Sequence, residues 1–203
     1  MKIYEFAANP SSRRVGIFLK ELGVEVDRVQ LNVREGENLT SEYLEKSVNG
    51  KVPMLELTDG TCISETIAIC RFFAEHQNDT SLFGTTPAEK GLVEMWQRIV
   101  ELDGLHMGFQ AFRNLSGVYA DRERCVEAWG NEAKLRVEEF LPKLDKQLAK
   151  NQYIAGERFS IVDITGFLFV GFVCEKALEI KALDIYPNIQ TWYNKVSERP
   201  AFQ

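Results

Sequence analysis

Histidine is scarce in this chain and cysteine is unpatterned. His76 and His106 are the only histidines, and Cys62, Cys70, Cys125 and Cys174 include no CxxC pair. That leaves no constellation with zinc-ligand spacing, so no metal is expected, and the cysteines read as buried reduced thiols. Long hydrophobic runs are missing too. The most apolar stretch, Ile161 to Cys174, is interrupted by Asp163 and is too short for a hydrocarbon core of about 30 Å, so no membrane is expected as a partner. The opening residues, MKIYEFAANP, lack the apolar core of a secretory signal, which points to the cytoplasm. Basic charge is in deficit, with a net charge of −6 and a pI near 5.2. That balance argues against a nucleic-acid or anionic-surface partner. What remains is an ordinary globular composition, 45% hydrophobic and 27% charged over 203 residues. It suits one large domain or two small ones.

The first eighty residues alternate between two periodicities. Lys2 to Phe6 reads as a strand. Val15, Phe18, Leu19 and Leu22 follow at helical spacing, with Gly23 as the stop. Val24 to Leu31 reads as a second strand and Thr40 to Lys46 as a short helix. Met54 to Leu57 and Thr61 to Ile63 flank Thr58-Asp59-Gly60, a hairpin signal, and a helix runs from about Glu65 to His76. This order predicts an α/β unit over 1–78 with a mixed sheet. Residues 79–87 lie in a run of turn formers and read as a linker. From 88 to 203 every periodic stretch is helical, including the stripes Leu92, Met95, Trp96, Ile99 and Val137, Phe140, Leu141, Leu144, Leu148. Pro142 should bend or split the second of these. Ile161 to Cys174 is apolar nearly all round and reads as a buried central helix. No internal repeat is present.

Three segments of the first half could carry chemistry, and each also has a purely structural explanation. Pro53, at the mouth of the third strand, is explained as a strand-start proline, which cannot donate to a ladder. Alternatively, a cis Val52-Pro53 bond turns the Val52 backbone outward as a strand-like partner for an extended peptide. Ser64-Glu65-Thr66 opens a helix and could simply cap it. It could also dock a zwitterion, the helix end attracting a carboxylate while Glu65 pairs with an ammonium. Asn9-Pro10-Ser11-Ser12 suits an N-cap with proline in the first turn. Its amide and hydroxyls could equally donate to a thiol and favour the thiolate.

Together, on this order of strands and helices, NPSSRRVGIFLKELGV, NGKVPML, ISETIAICRFF and GERFSIVDITGF resemble the cytosolic glutathione transferases over nearly the whole chain, in a theta-like or bacterial manner. The resemblance implies a thioredoxin-like N-terminal domain with a mixed sheet and an all-helical C-terminal domain. The last motif matches the family's helix cap, with Ser160 and Asp163 as the reciprocal pair. Val52 and Pro53 fit the places that present backbone to the cysteinyl part of glutathione. Glu65 and Thr66 fit the γ-glutamyl site, and Lys51 fits the place near the glycine carboxylate. The implied partners are glutathione as co-substrate, with no further cofactor, a small apolar electrophile, and a second copy in a homodimer. Phe109, Phe112 and Tyr119, read as lying on the first helix of the second domain, are the electrophile-pocket candidates. Ordinary packing explains them as well.

The sequence departs from the pattern where relatives put an activating Ser or Cys, because this chain has Asn9. Ser11 is expected to be the main side-chain donor to the sulfur, with Asn9 and the Ser12 backbone assisting. The expected activity is conjugation of the glutathione thiolate to apolar electrophiles, as in detoxification. The alternatives are a non-catalytic glutathione-binding carrier or regulator and a glutathione-dependent peroxidase or disulfide reductase.

Overall fold

The computed structural model describes residues Met1–Gln203, which divide into two compact units, Met1–Ser81 and Leu82–Gln203. The first unit contains β1 (Lys2–Glu5), α1 (Pro10–Glu21), β2 (Asp27–Gln30), α2 (Ser41–Lys46), β3 (Met54–Glu56), β4 (Cys62–Ser64) and α3 (Thr66–His76). The strands form one sheet in the order β2-β1-β3-β4. β1 runs parallel to β2, with Ile3 opposite Arg28. It runs antiparallel to β3, with Ile3 opposite Leu55, and β3 to β4 is also antiparallel. The sheet is mixed, as the element order requires.

Strand alternation sorts the side chains of β1. Ile3 is fully buried, as are Val15, Phe18, Ile69 and Phe73 of α1 and α3, two helices in mutual contact. Tyr4 and its ladder partner Met54 join a separate small cluster with Val33, Tyr43 and Val52. The second strand is shorter than its apolar sequence predicts. The Val24 N–H is drawn back to Leu19 O at 2.9 Å, closing α1 around Gly23 at φ +65°, so pairing begins only at Asp27. The predicted hairpin is present. Asp59 accepts from the Thr61 N–H at 2.9 Å, and Gly60 supplies φ +88°.

The second unit contains α4 (Pro87–Ile99), α5 (Met107–Ser116), α6 (Glu127–Leu148), α7 (Ile161–Leu168), α8 (Ala182–Ile185) and α9 (Pro187–Ser197). A π-helical segment, Val100–His106, joins α4 to α5, and a second, Phe169–Ala177, extends α7. Neither is legible in the sequence, because the hydrophobic period changes too little. Close packing accompanies both. A Cβ on Gly108 would lie 2.1 Å from Val173 Cγ1, and one on Gly104 would lie 3.1 Å from Phe140 Cε1. Helix α6 runs through Pro142 without splitting. Its Val137, Phe140, Leu141 and Leu144 are buried around the proline, and that burial outweighs the missing backbone bond.

Helix α7 is the buried central helix, with every residue from Ile161 to Leu168 enclosed. Its start is the capping box expected of Ser160 and Asp163. Asp163 also accepts from the Ile154 N–H at 3.0 Å and from Trp192 Nε1 at 2.9 Å. The carboxylate thus ties three separate segments together. The fold is a thioredoxin-like domain with a mixed sheet, followed by an all-helical domain. No helix is long and apolar enough to cross a membrane.

Candidate functional site

The three chemistry-bearing segments sit at comparable points of the first unit, each where a strand or helix begins. At the head of α1, Asn9 is the N-cap and its Oδ1 accepts from the Ser11 N–H at 2.9 Å, with Pro10 in the first turn. The capping explanation of Asn9 therefore holds, and only its Nδ2 remains to donate elsewhere. Ser12 is 2% exposed, and its hydroxyl is enclosed without a partner. Ser11 is half-buried. Of the two serines, Ser11 is the more exposed.

Before β3, the Val52-Pro53 bond is cis and Val52 is 7% exposed. The preceding loop is held from below. Tyr43 OH donates to Lys51 O at 2.7 Å, and Asn38 Nδ2 donates to Gly50 O at 2.6 Å. Burial pushes the Tyr43 phenol up to about 12, so it stays protonated and remains a donor. The Lys51 N–H donates to Asn49 Oδ1 at 3.1 Å, while the Lys51 side chain is exposed.

At the head of α3 the capping explanation fails. Glu65 occupies the N-cap with φ +69° and makes no side-chain cap bond, whereas α1, α2, α4 and α7 are each capped by a side chain. A non-glycine residue held there costs about 1 to 3 kcal/mol. The strain turns the Glu65 carboxylate off the helix end, where its Oε1 accepts from Asn49 Nδ2 at 2.9 Å. The first N–H groups of α3 are left for another acceptor. Thr66 is 5% exposed and its Oγ1 is enclosed without a partner. Backbone donors and an acid thus stand side by side, the complement of a zwitterion.

Against this geometry stand the comparisons with known proteins. A model described as the glutathione S-transferase N-terminal domain matches residues 1–75, and one described as its C-terminal domain matches residues 126–200. Glutathione S-transferase 2 of Saccharomyces cerevisiae is 30% identical over 210 residues, spanning 99% of this chain and 87% of that protein. A glutathione S-transferase of class Gtt2 from Vibrio parahaemolyticus superposes with a TM-score of 0.89 at 53% identity, covering 100% of this chain and 96% of that one. Gtt2 from Saccharomyces cerevisiae gives a TM-score of 0.93 at 30% identity, covering 100% and 98%. The chain belongs to the glutathione S-transferase family. It is an enzyme, a glutathione transferase.

Of the residues predicted for this transferase's pocket, Phe109 and Phe112 lie half-buried on α5, which is the second helix of this unit and not, as expected, the first, because α4 precedes it. Phe112 meets the edge of Phe172, with ring centroids 6.5 Å apart. Tyr119 is not on that helix. Gly117 ends α5 at φ +64°, and Tyr119 lies in the following turn, with the Arg113 guanidinium 4.9 Å from its ring centroid. The cysteines need a partial correction. All four are free, but only Cys70 and Cys174 are buried, while Cys62 and Cys125 are half-exposed. Burial pushes the Cys70 thiol up to about 12, which leaves it inert. Asn38, Tyr43 and Asn49, which hold the glutathione-transferase motif NGKVPML in shape, were not foreseen. The one signal was the Asn49-Gly50 pair, a turn dipeptide.

Proposed function

We propose that this transferase conjugates the thiolate of glutathione to small apolar electrophiles, as in detoxification. One observation carries the reading: the uncapped head of α3, with Glu65 held at φ +69° beside it. Those backbone donors suit the γ-glutamyl carboxylate and Glu65 suits its ammonium, while Thr66 closes the subsite. Val52 offers backbone to the cysteinyl unit. Neither its N–H nor its C=O has a backbone partner. Lys51, whose side chain is exposed, suits the glycine carboxylate. In this reading residues 1–78 bind glutathione, 79–87 link, and 88–203 receive the electrophile, with Phe109 and Phe112 ahead of Tyr119.

A free thiol has a pKa near 8.5, so lowering it by about two units needs roughly 2.7 kcal/mol of preference for the thiolate. Hydrogen bonds to the sulfur and the head of α1 can supply this. Ser11 is the main side-chain donor, because it is the more exposed of the two serines while the Asn9 oxygen is committed to the helix cap. Asn9 Nδ2 and the Ser12 N–H assist. Ultraviolet titration of bound thiolate tests this. Ser11→Ala should raise the bound pKa by about one unit, and a pKa that moves only in Asn9→Ala would assign the role to Asn9.

A carrier or regulator that binds glutathione with little turnover would share these anchors. Turnover of an aryl halide separates it from the enzyme, and assays on hydroperoxide and mixed-disulfide substrates separate the reductase reading. The protein is proposed to be cytoplasmic and a homodimer. Leu92, Met95 and Leu102, which are 45%, 45% and 44% exposed, supply an apolar surface suited to a second copy.

A further inference from the structure

Four hydrogen bonds fix the loop before the third strand and tie it to the head of α3, the two segments that the proposed function assigns to glutathione. Tyr43 OH holds Lys51 O at 2.7 Å and Asn38 Nδ2 holds Gly50 O at 2.6 Å, fixing the loop before the third strand. The Lys51 N–H then holds Asn49 Oδ1 at 3.1 Å, and Asn49 Nδ2 holds Glu65 Oε1 at 2.9 Å. The first two bonds anchor the loop to α2 and to the segment before it. The last is the bridge, and it spans 16 residues of sequence.

The Asn49 amide has one orientation that serves both neighbours. A backbone N–H can only donate, so the amide oxygen must face Lys51, and the NH2 group is then presented to the carboxylate. Gly50 completes the turn at φ +61°, where an added Cβ would lie 3.0 Å from Leu44 Cδ2. Glu65 is held from the other side by its own backbone at φ +69°. With Oε1 engaged, Oε2 is the oxygen left for an incoming cation. A glutamate side chain otherwise has up to about 2 kcal/mol of rotamer freedom to lose on binding.

We infer that Asn49 is a positioning residue: its amide pre-orients Glu65 to receive the α-ammonium of the γ-glutamyl group, and so couples that end of the site to the Lys51–Pro53 segment. This rests on the glutathione-binding reading above. Asn49 touches no reacting atom. It removes, before the ligand arrives, part of the ordering that Glu65 would otherwise undergo.

Titration calorimetry on the full chain tests this with two ligands and two proteins. The ligands are glutathione and its des-amino analogue, in which a glutaryl group replaces γ-glutamyl and the ammonium is gone. The proteins are the wild type and Asn49→Ser, whose hydroxyl still accepts from the Lys51 N–H and preserves the turn but cannot reach Glu65. Asn49→Ser should weaken glutathione binding by about fivefold and leave the analogue's affinity unchanged. Equal weakening of both ligands would show that Asn49 only shapes the loop, and no weakening of either would show that it does nothing. Both outcomes overturn the inference while glutathione binding stands. A wild-type protein that binds neither ligand would remove the glutathione reading itself, and this inference with it.

Discussion

Glu65 combines strain and charge at a single position. Its φ of +69° persists because the head of α3 and the Asn49 bridge over-determine it, and such strain is commonly kept where a ligand must be met. Removing its side chain leaves the proposed ammonium site without a counter-ion. Glu65→Ala should therefore weaken glutathione binding by about 1.5 to 3 kcal/mol, the range for hydrogen bonds to charged groups. Calorimetry showing unchanged affinity would refute the assignment.

Asp163 is the contrasting acid, fully buried and structural. Asp163→Ala would strand the Ile154 N–H and Trp192 Nε1–H and remove the cap of α7. It should cost about 2 to 4 kcal/mol of stability with glutathione affinity nearly intact. Its pH dependence has a definite sign. Burial pushes the carboxyl up from its ordinary value to about 6, against the pull of its hydrogen-bond donors. The folded state therefore binds this proton more tightly than the unfolded state does. That contribution is complete below the ordinary value near 3.9 and is lost as pH rises through about 6. Chemical denaturation across that window should show the stability gap between wild type and Asp163→Asn narrowing as pH rises. A widening gap would mean that the donors outweigh burial.

At the scale of elements, the helix caps and the glycines have different sources. Caps are local: Asn9, Thr40, Thr86 and Ser160 each reach only two or three residues ahead, so short-range patterns reveal them. The close approach of α5 to the π-helical segment after α7 depends on Gly108 and leaves no local signature. Gly108→Ala places a methyl 2.1 Å from Val173 Cγ1, in packing that cannot shift without strain. It should destabilise the protein by about 1 to 3 kcal/mol even though alanine is the better helix former. A rise in melting temperature would show that the contact can relax. Gly16 offers the control, since nothing lies within 4 Å of its added Cβ, and Gly16→Ala should be neutral or stabilising.

At the scale of the whole molecule, the proposed homodimer is the prediction most open to direct test. Light scattering should give twice the 23.2 kDa of one chain across micromolar concentrations. Substituting Leu92 and Met95 with glutamate should shift that mass toward the monomer, because the exposed apolar surface would then carry charge. A constant monomer mass for the wild type would refute the assembly.

The sequence by itself determined the order of strands and helices, the two-domain family, the Asp59-Gly60 hairpin and the caps of α1 and α7. All of these rest on periodicity or on contacts a few residues apart, which the chain carries wherever it goes. Tertiary structure alone decided that α6 continues through Pro142 and that two helices take π-helical turns. It also decided that the Ser12 and Thr66 hydroxyls turn inward while Asn49 meets Glu65. Each of these depends on residues distant in sequence being brought into van der Waals or hydrogen-bond contact by close packing, and no local pattern encodes that.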